Sequence, residues 1–163
     1  MLRKITSVML LFIVLLTAFS TPAFAATTDA PGLVSERIES DGNGNEVIIR
    51  VYKLDENGNL PIPQTRASRL LYNNGTWVST GGYSTLVSRQ AVQGLYKEAV
   101  SCYNDGTGAL TFYCNYASVS EQAVSPGYAV QFIIQWSGSR PMYDVGVKAN
   151  WSAHQTWIRI YAG

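Results

Sequence analysis

Histidine is nearly missing from this 163-residue chain, where His154 is the single example, and cysteine occurs only twice, at Cys102 and Cys114. One imidazole and two thiols do not make a zinc ligand set. A serine triad would have to use His154, and the nearest approach to a nucleophile elbow, Gly82-Tyr83-Ser84-Thr85-Leu86, fails G-x-S-x-G at its last position. Charge of one sign is also lacking, since 12 Lys plus Arg stand against 11 Asp plus Glu. A nucleic-acid partner needs a basic face to neutralise phosphates, so that class is excluded. Carboxylate pairs such as Glu36 with Glu39 lie in the most solvated stretch and not in the cleft a glycosidase requires. These absences point away from an enzyme and call for no cofactor and no metal.

Long apolar runs are confined to the start. Arg3 and Lys4 precede the apolar Ile5 to Phe19, and Ala23-Phe24-Ala25 supplies an A-x-A cleavage site, which is the pattern of a secretory signal. The run is short and carries Ser and Thr, which argues against a transmembrane helix. Residues 1–25 are set apart from the fold, and the product is expected outside the cell or in its envelope. The remaining 26–163 suit one domain. Its acids crowd into the first part, at Asp29, Glu36, Glu39, Asp41, Glu46, Asp55 and Glu56. This asymmetry suggests an acidic N-terminal hairpin and linker over 26–66 and a β-sandwich domain over 67–163. Thr65-Arg66-Ala67 would let a protease release the first as a pro-segment.

The spacing of apolar residues predicts strands almost throughout. Val34 to Glu39 and Val47 to Tyr52 flank Asp41-Gly-Asn-Gly-Asn45, whose Gly and Asn tolerate left-handed turns. Asp55-Glu-Asn-Gly-Asn59 closes that unit, and Pro61 and Pro63 end its ladder. Both Asp-x-Asn-x-Asn loops spell the first half of a calcium loop. Each departs at the sixth position (Glu46, Leu60) and the twelfth (Tyr52, Arg66), so turn composition explains them more simply. Leu70 to Tyr72 and Thr76 to Ser79 read as a hairpin around Asn73-Asn74-Gly75. Over Arg89 to Val100 the apolar residues fall on one helical stripe with Ser88 as cap, predicting a short helix near 88–100 although Gly94 opposes it. Tyr128 to Trp136, Met142 to Trp151 and Thr156 to Tyr161 alternate apolar with polar, which suggests a meander. The fold class is mainly β, an antiparallel β-sandwich or small barrel.

Two cysteines in an exported chain are read first as a disulfide. A tight turn at Asp105-Gly106 would put Cys102 and Cys114 on opposite faces and forbid the bond. A longer loop with Gly108 at positive φ instead sets Cys102 on one face with Leu110, Phe112, Cys114 and Tyr116, so the expectation is a bonded pair.

The remaining functional signal is aromatic. If Ile158 and Ile160 face the core, Trp157, Arg159 and Tyr161 form an outward platform, with Trp151 upstream. Such rings stack on sugars, sit at a bilayer surface or anchor a protein contact. The tail Asn150 to Tyr161 resembles the aromatic, Arg-containing end of actinoporin-like membrane-binding β-sandwiches, a likeness that implies contact with a membrane surface. It covers those residues alone, and the amphipathic N-terminal helix that such pore-formers insert has no counterpart in 26–60. Asn74-Gly-Thr76 and Asn150-Trp-Ser152 match the glycosylation acceptor. The expected function is therefore secreted, non-enzymatic binding of a polysaccharide or protein through Trp151, Trp157, Arg159 and Tyr161. The alternatives are a membrane-active, bacteriocin-like toxin with an acidic pro-segment, and a weak hydrolase dependent on His154.

Overall fold

The computed structural model describes residues 30–62, 68–116 and 118–163. The expected secretory leader, the expected cleavage point at Arg66 and the 66/67 boundary lie outside the described residues. The chain forms ten strands: β1 (Leu33–Ser40), β2 (Glu46–Lys53), β3 (Arg69–Val78), β4 (Ser84–Gln90), β5 (Lys97–Asn104), β6 (Leu110–Tyr116), β7 (Ser118–Val124), β8 (Tyr128–Gln135), β9 (Met142–Ala149) and β10 (His154–Ala162). They pair into a six-stranded sheet of order β1-β2-β8-β5-β10-β3 and a four-stranded sheet of order β4-β9-β6-β7. Every pairing is antiparallel. The two sheets stack as a β-sandwich and do not close into a barrel.

Period-two alternation decides what each strand buries. Val130, Phe132 and Ile134 of β8 point between the sheets with Val100 and Cys102 of β5 and Ile158 and Ile160 of β10. From the four-stranded sheet come Leu110, Phe112 and Cys114 of β6 with Tyr143, Val145 and Val147 of β9. The acidic N-terminal hairpin forms as expected, and it is part of the larger sheet: β2 pairs with β8 from Glu46↔Gln135 to Lys53↔Tyr128, and Val47 and Ile49 join the core. A polar clasp closes the sandwich beside it, where Arg37 donates to Gln122 and to the carbonyl of Glu121, and Ser120 bonds Glu39.

Four sequence expectations give way. The three C-terminal strands exist with the predicted faces, but they are no meander, because β8 and β10 lie in the large sheet and β9 in the small one. Strands that bury one face each are equally well served by crossing between sheets. The hairpin at Asn73-Asn74-Gly75 is absent, and β3 runs straight through it. The helix near 88–100 is also absent: β4 ends at Gln90, Gly94 turns the chain at φ +80°, and β5 starts at Lys97.

Glu98, a charged residue within β5, is buried. Its carboxylate accepts from the Val92 N–H at 2.9 Å and the Tyr143 hydroxyl at 3.1 Å, with Arg89 at 3.4 Å. Three partners offset the desolvation that periodicity alone cannot weigh.

The fourth correction concerns Cys102 and Cys114, which are buried free thiols. β5 and β6 are not hairpin partners. The chain crosses from the large sheet to the small one between them, so the pair enters the core from opposite layers. Neither Gly106 nor Gly108 adopts positive φ; they are needed for close approach. A Cβ at Gly106 would lie 1.8 Å from Thr156 Oγ1, and one at Gly108 2.5 Å from His154 Nε2.

Candidate functional site

Because Ile158 and Ile160 are buried, the odd residues of β10 face outward, as the alternation predicts. They meet different fates. Arg159 is fixed by Asp105, whose Oδ1 accepts from Nη2 at 2.8 Å, and it also donates to the Gly58 carbonyl at 2.7 Å. Its guanidinium lies 4.6 Å from the centre of the Tyr103 ring. The bonds to Asp105 raise the Arg159 pKa. Tyr161 packs edge-on to Tyr103 with ring centres 5.5 Å apart. Tyr161 thus packs against a small apolar cluster of Tyr52, Leu60, Tyr103 and Ala129, where Asp55–Ile62 straps the outer face of the large sheet, and Arg159 covers its Tyr103. Trp157 escapes the strap and stays 50 % exposed.

The straight course of β3 gives Trp157 a neighbour that the sequence did not reveal. Trp157 lies opposite Gly75 and Gln155 opposite Trp77, so the two tryptophans are diagonal neighbours on one outer face. Gly75 leaves room for the indole, whose Cε3 sits 3.4 Å from the place of a Cβ. Nε1 of Trp157 donates to Asn73 Oδ1 at 2.8 Å, which fixes the ring. Trp77 is 65 % exposed. Reading Asn73-Asn74-Gly75 as a turn placed Trp77 on a separate limb, and the missed signal was the β-rich Leu70–Val78 on both sides of a single glycine.

Trp151 belongs to the same corner. It sits in the β9–β10 turn, 86 % exposed, where Ala149 N–H bonds the Ser79 carbonyl at 2.9 Å and His154 pairs with Val78. Thr111 donates to Asn150 at 2.6 Å and steadies that turn. The fourth tryptophan, Trp136, is 5 % exposed in the core. Trp77 and Trp157 therefore share one outer face at the β3 edge of the large sheet, and Trp151 is exposed in the turn that leads into β10. Single exposed apolar residues are ordinary, whereas strand pairing holds Trp77 and Trp157 together on one face.

The other chemical candidates are occupied by structural tasks. His154 Nδ1 faces the Ser152 carbonyl at 2.7 Å, so that nitrogen carries the hydrogen. Its Nε2 is buried against Gly108. Glu36 pairs with Arg50, and Glu39 with Arg37 at 3.0 Å. Asp41 accepts the Asn43 N–H at 2.8 Å and the Asn45 amide at 2.8 Å, and the side-chain bond to Asn45 holds its pKa down. Asp55 repeats the pattern with Asn57 and Asn59 at 2.9 and 2.8 Å. Both loops are Asx turns. Burial pushes the Cys102 thiol well up and the Cys114 thiol up to about 12, the opposite of an activated nucleophile. No family model matches the chain, and no match is found among curated proteins or solved structures.

Proposed function

We propose that this is a secreted, non-enzymatic β-sandwich that holds an extracellular polysaccharide on the aromatic edge formed by Trp77, Trp151 and Trp157. The observation that carries this reading is the pair Trp77 and Trp157 on one outer face, with Trp151 exposed in the turn before β10, while the fourth tryptophan is buried. Flat indole faces stack on the apolar faces of sugar rings, and the β3–β10 pairing keeps Trp77 and Trp157 at fixed spacing, which lowers the ordering cost. Arg159, in this reading, is a positioning residue that ties the Asp55–Ile62 strap beside the platform. The experiment is depletion from solution by insoluble cellulose, chitin, mannan and peptidoglycan. Retention on at least one of them supports the reading. Retention on none, with capture instead by liposomes, would favour the membrane-surface alternative, because exposed tryptophan also suits a bilayer interface.

A further inference from the structure

The outer face of the six-stranded sheet carries a second feature, separated from the tryptophan edge by the Asp55–Ile62 strap. It is a groove of about 590 Å³, within the range of small-ligand sites. Its floor can be read from the ladder. Ser101 lies between Gln131 and Tyr161, and Ala99 pairs with Ile133. Their neighbours Val100, Cys102, Phe132 and Ile134 point into the core, so these side chains point out. Tyr96, 76 % exposed, stands on one wall and Tyr161 on the other.

The floor has spare bonding capacity. Gln131 Nε2 donates to Ser101 Oγ at 3.1 Å, which leaves the serine hydrogen and the Gln131 carbonyl oxygen to offer, and Gln135 adds a carboxamide. β5 and β8 are central strands whose backbone groups are spent on both neighbours, so an incoming peptide cannot add a strand here. Arg50 and Lys97 also line the groove, but Arg50 is engaged by Glu36, so recognition on the floor falls to the amide and hydroxyl groups beside Tyr96 and Tyr161. That combination fits a chain of hydroxyls and pyranose faces better than an ion. We infer that the groove is a second carbohydrate subsite, taking a neutral glycan segment through Gln131, Ser101 and Gln135.

This inference rests on the reading of the protein as a polysaccharide binder, and the two can fail separately. Isotope-labelled protein is titrated with soluble oligosaccharides of cellulose, mannan and chitin while amide NMR signals are followed. The side-chain amides of Gln131 and Gln135 and the backbone amides of Ser101 and Tyr161 should shift with at least one sugar. Gln131→Ala with Gln135→Ala should weaken that binding about tenfold or more, as lost hydrogen bonds from a desolvated floor do. Trp77→Ala with Trp157→Ala should leave these shifts in place. Shifts confined to the tryptophan edge overturn the groove and leave the edge standing. Silence at every signal, with no retention on any solid polysaccharide, overturns both. Shifts at the groove with an unrelated peptide but with no sugar also overturn it.

Discussion

At the scale of single residues, the molecule is most exacting where β5 crosses to β6. Gly106 and Gly108 touch Thr156 and His154 so closely that a methyl group has no room. Gly108→Ala should cost about 1–3 kcal/mol through overpacking, measured by urea unfolding, and an unchanged midpoint would refute the packing given for this loop. The cysteines give a second residue-level prediction. Alkylation of the denatured, unreduced protein should add two groups by mass, and in the native state both thiols should resist labelling until unfolding. Their burial also sets the alkaline limit. Cys114 and Tyr103 are both pushed up to about 12, chiefly by burial, from ordinary values of 9.0 and 10.0. An acid whose folded pKa is raised favours the folded state while it stays neutral. The stabilisation these two groups contribute should therefore be fully present below pH 9 and be lost from pH 9 to 12, as the unfolded chain ionises first. A melting temperature that holds or rises across that window would contradict the burial of these groups.

At the scale of elements, the strands with one clean apolar face were legible, and those with a buried charge or a central glycine were not. β8 and β10 emerge from alternation alone, since Phe132, Ile134, Ile158 and Ile160 need no partner except the core. β2 was legible for the same reason. The stretch 89–100 was misread because Ala91, Val92, Leu95, Tyr96, Ala99 and Val100 fit a helical stripe. Only the partners of Glu98, supplied by β4, β9 and the loop before β5, make a strand possible there. Val92 and Arg89 are near in sequence, but they reach Glu98 only once the chain turns back at Gly94, and Tyr143 comes from distant sequence. Glu98→Ala should then cost about 3 kcal/mol or more, because Arg89, Tyr143 and the Val92 N–H lose their shared acceptor. Glu98→Gln, which keeps one acceptor oxygen, should cost less. Equal melting temperatures for Glu98→Ala and the wild type would remove the pinning role assigned to this carboxylate. β3 shows the complementary error, in which Gly75 reads as a turn in sequence and serves in the fold as space for Trp157.

At the scale of the whole molecule, the sandwich class was legible from strand count and spacing, while the strand order was not. Turns such as Ser137–Pro141 are compatible with a hairpin and with a crossing between sheets, and only the joint burial of all faces selects the crossing. The same global pairing makes the acidic hairpin part of the sheet: a chain beginning at Ser68 would bare the β8 edge and lose Val47 and Ile49 from the core. It should be insoluble or unfold without cooperativity, and a soluble, cooperatively melting fragment would contradict the six-stranded sheet. Two of the three exposed tryptophans, Trp157 and Trp151, were legible, whereas Trp77 joins them only through the β3–β10 register. Arg159 and Tyr161 lie on the predicted face but serve the strap. The most direct measurement compares the wild type with Trp77→Ala/Trp157→Ala for depletion by the polysaccharide that retains the wild type. Loss of retention with a melting temperature within a few degrees of wild type is the predicted result. Undiminished retention by the folded double variant would contradict the assignment of binding to this edge.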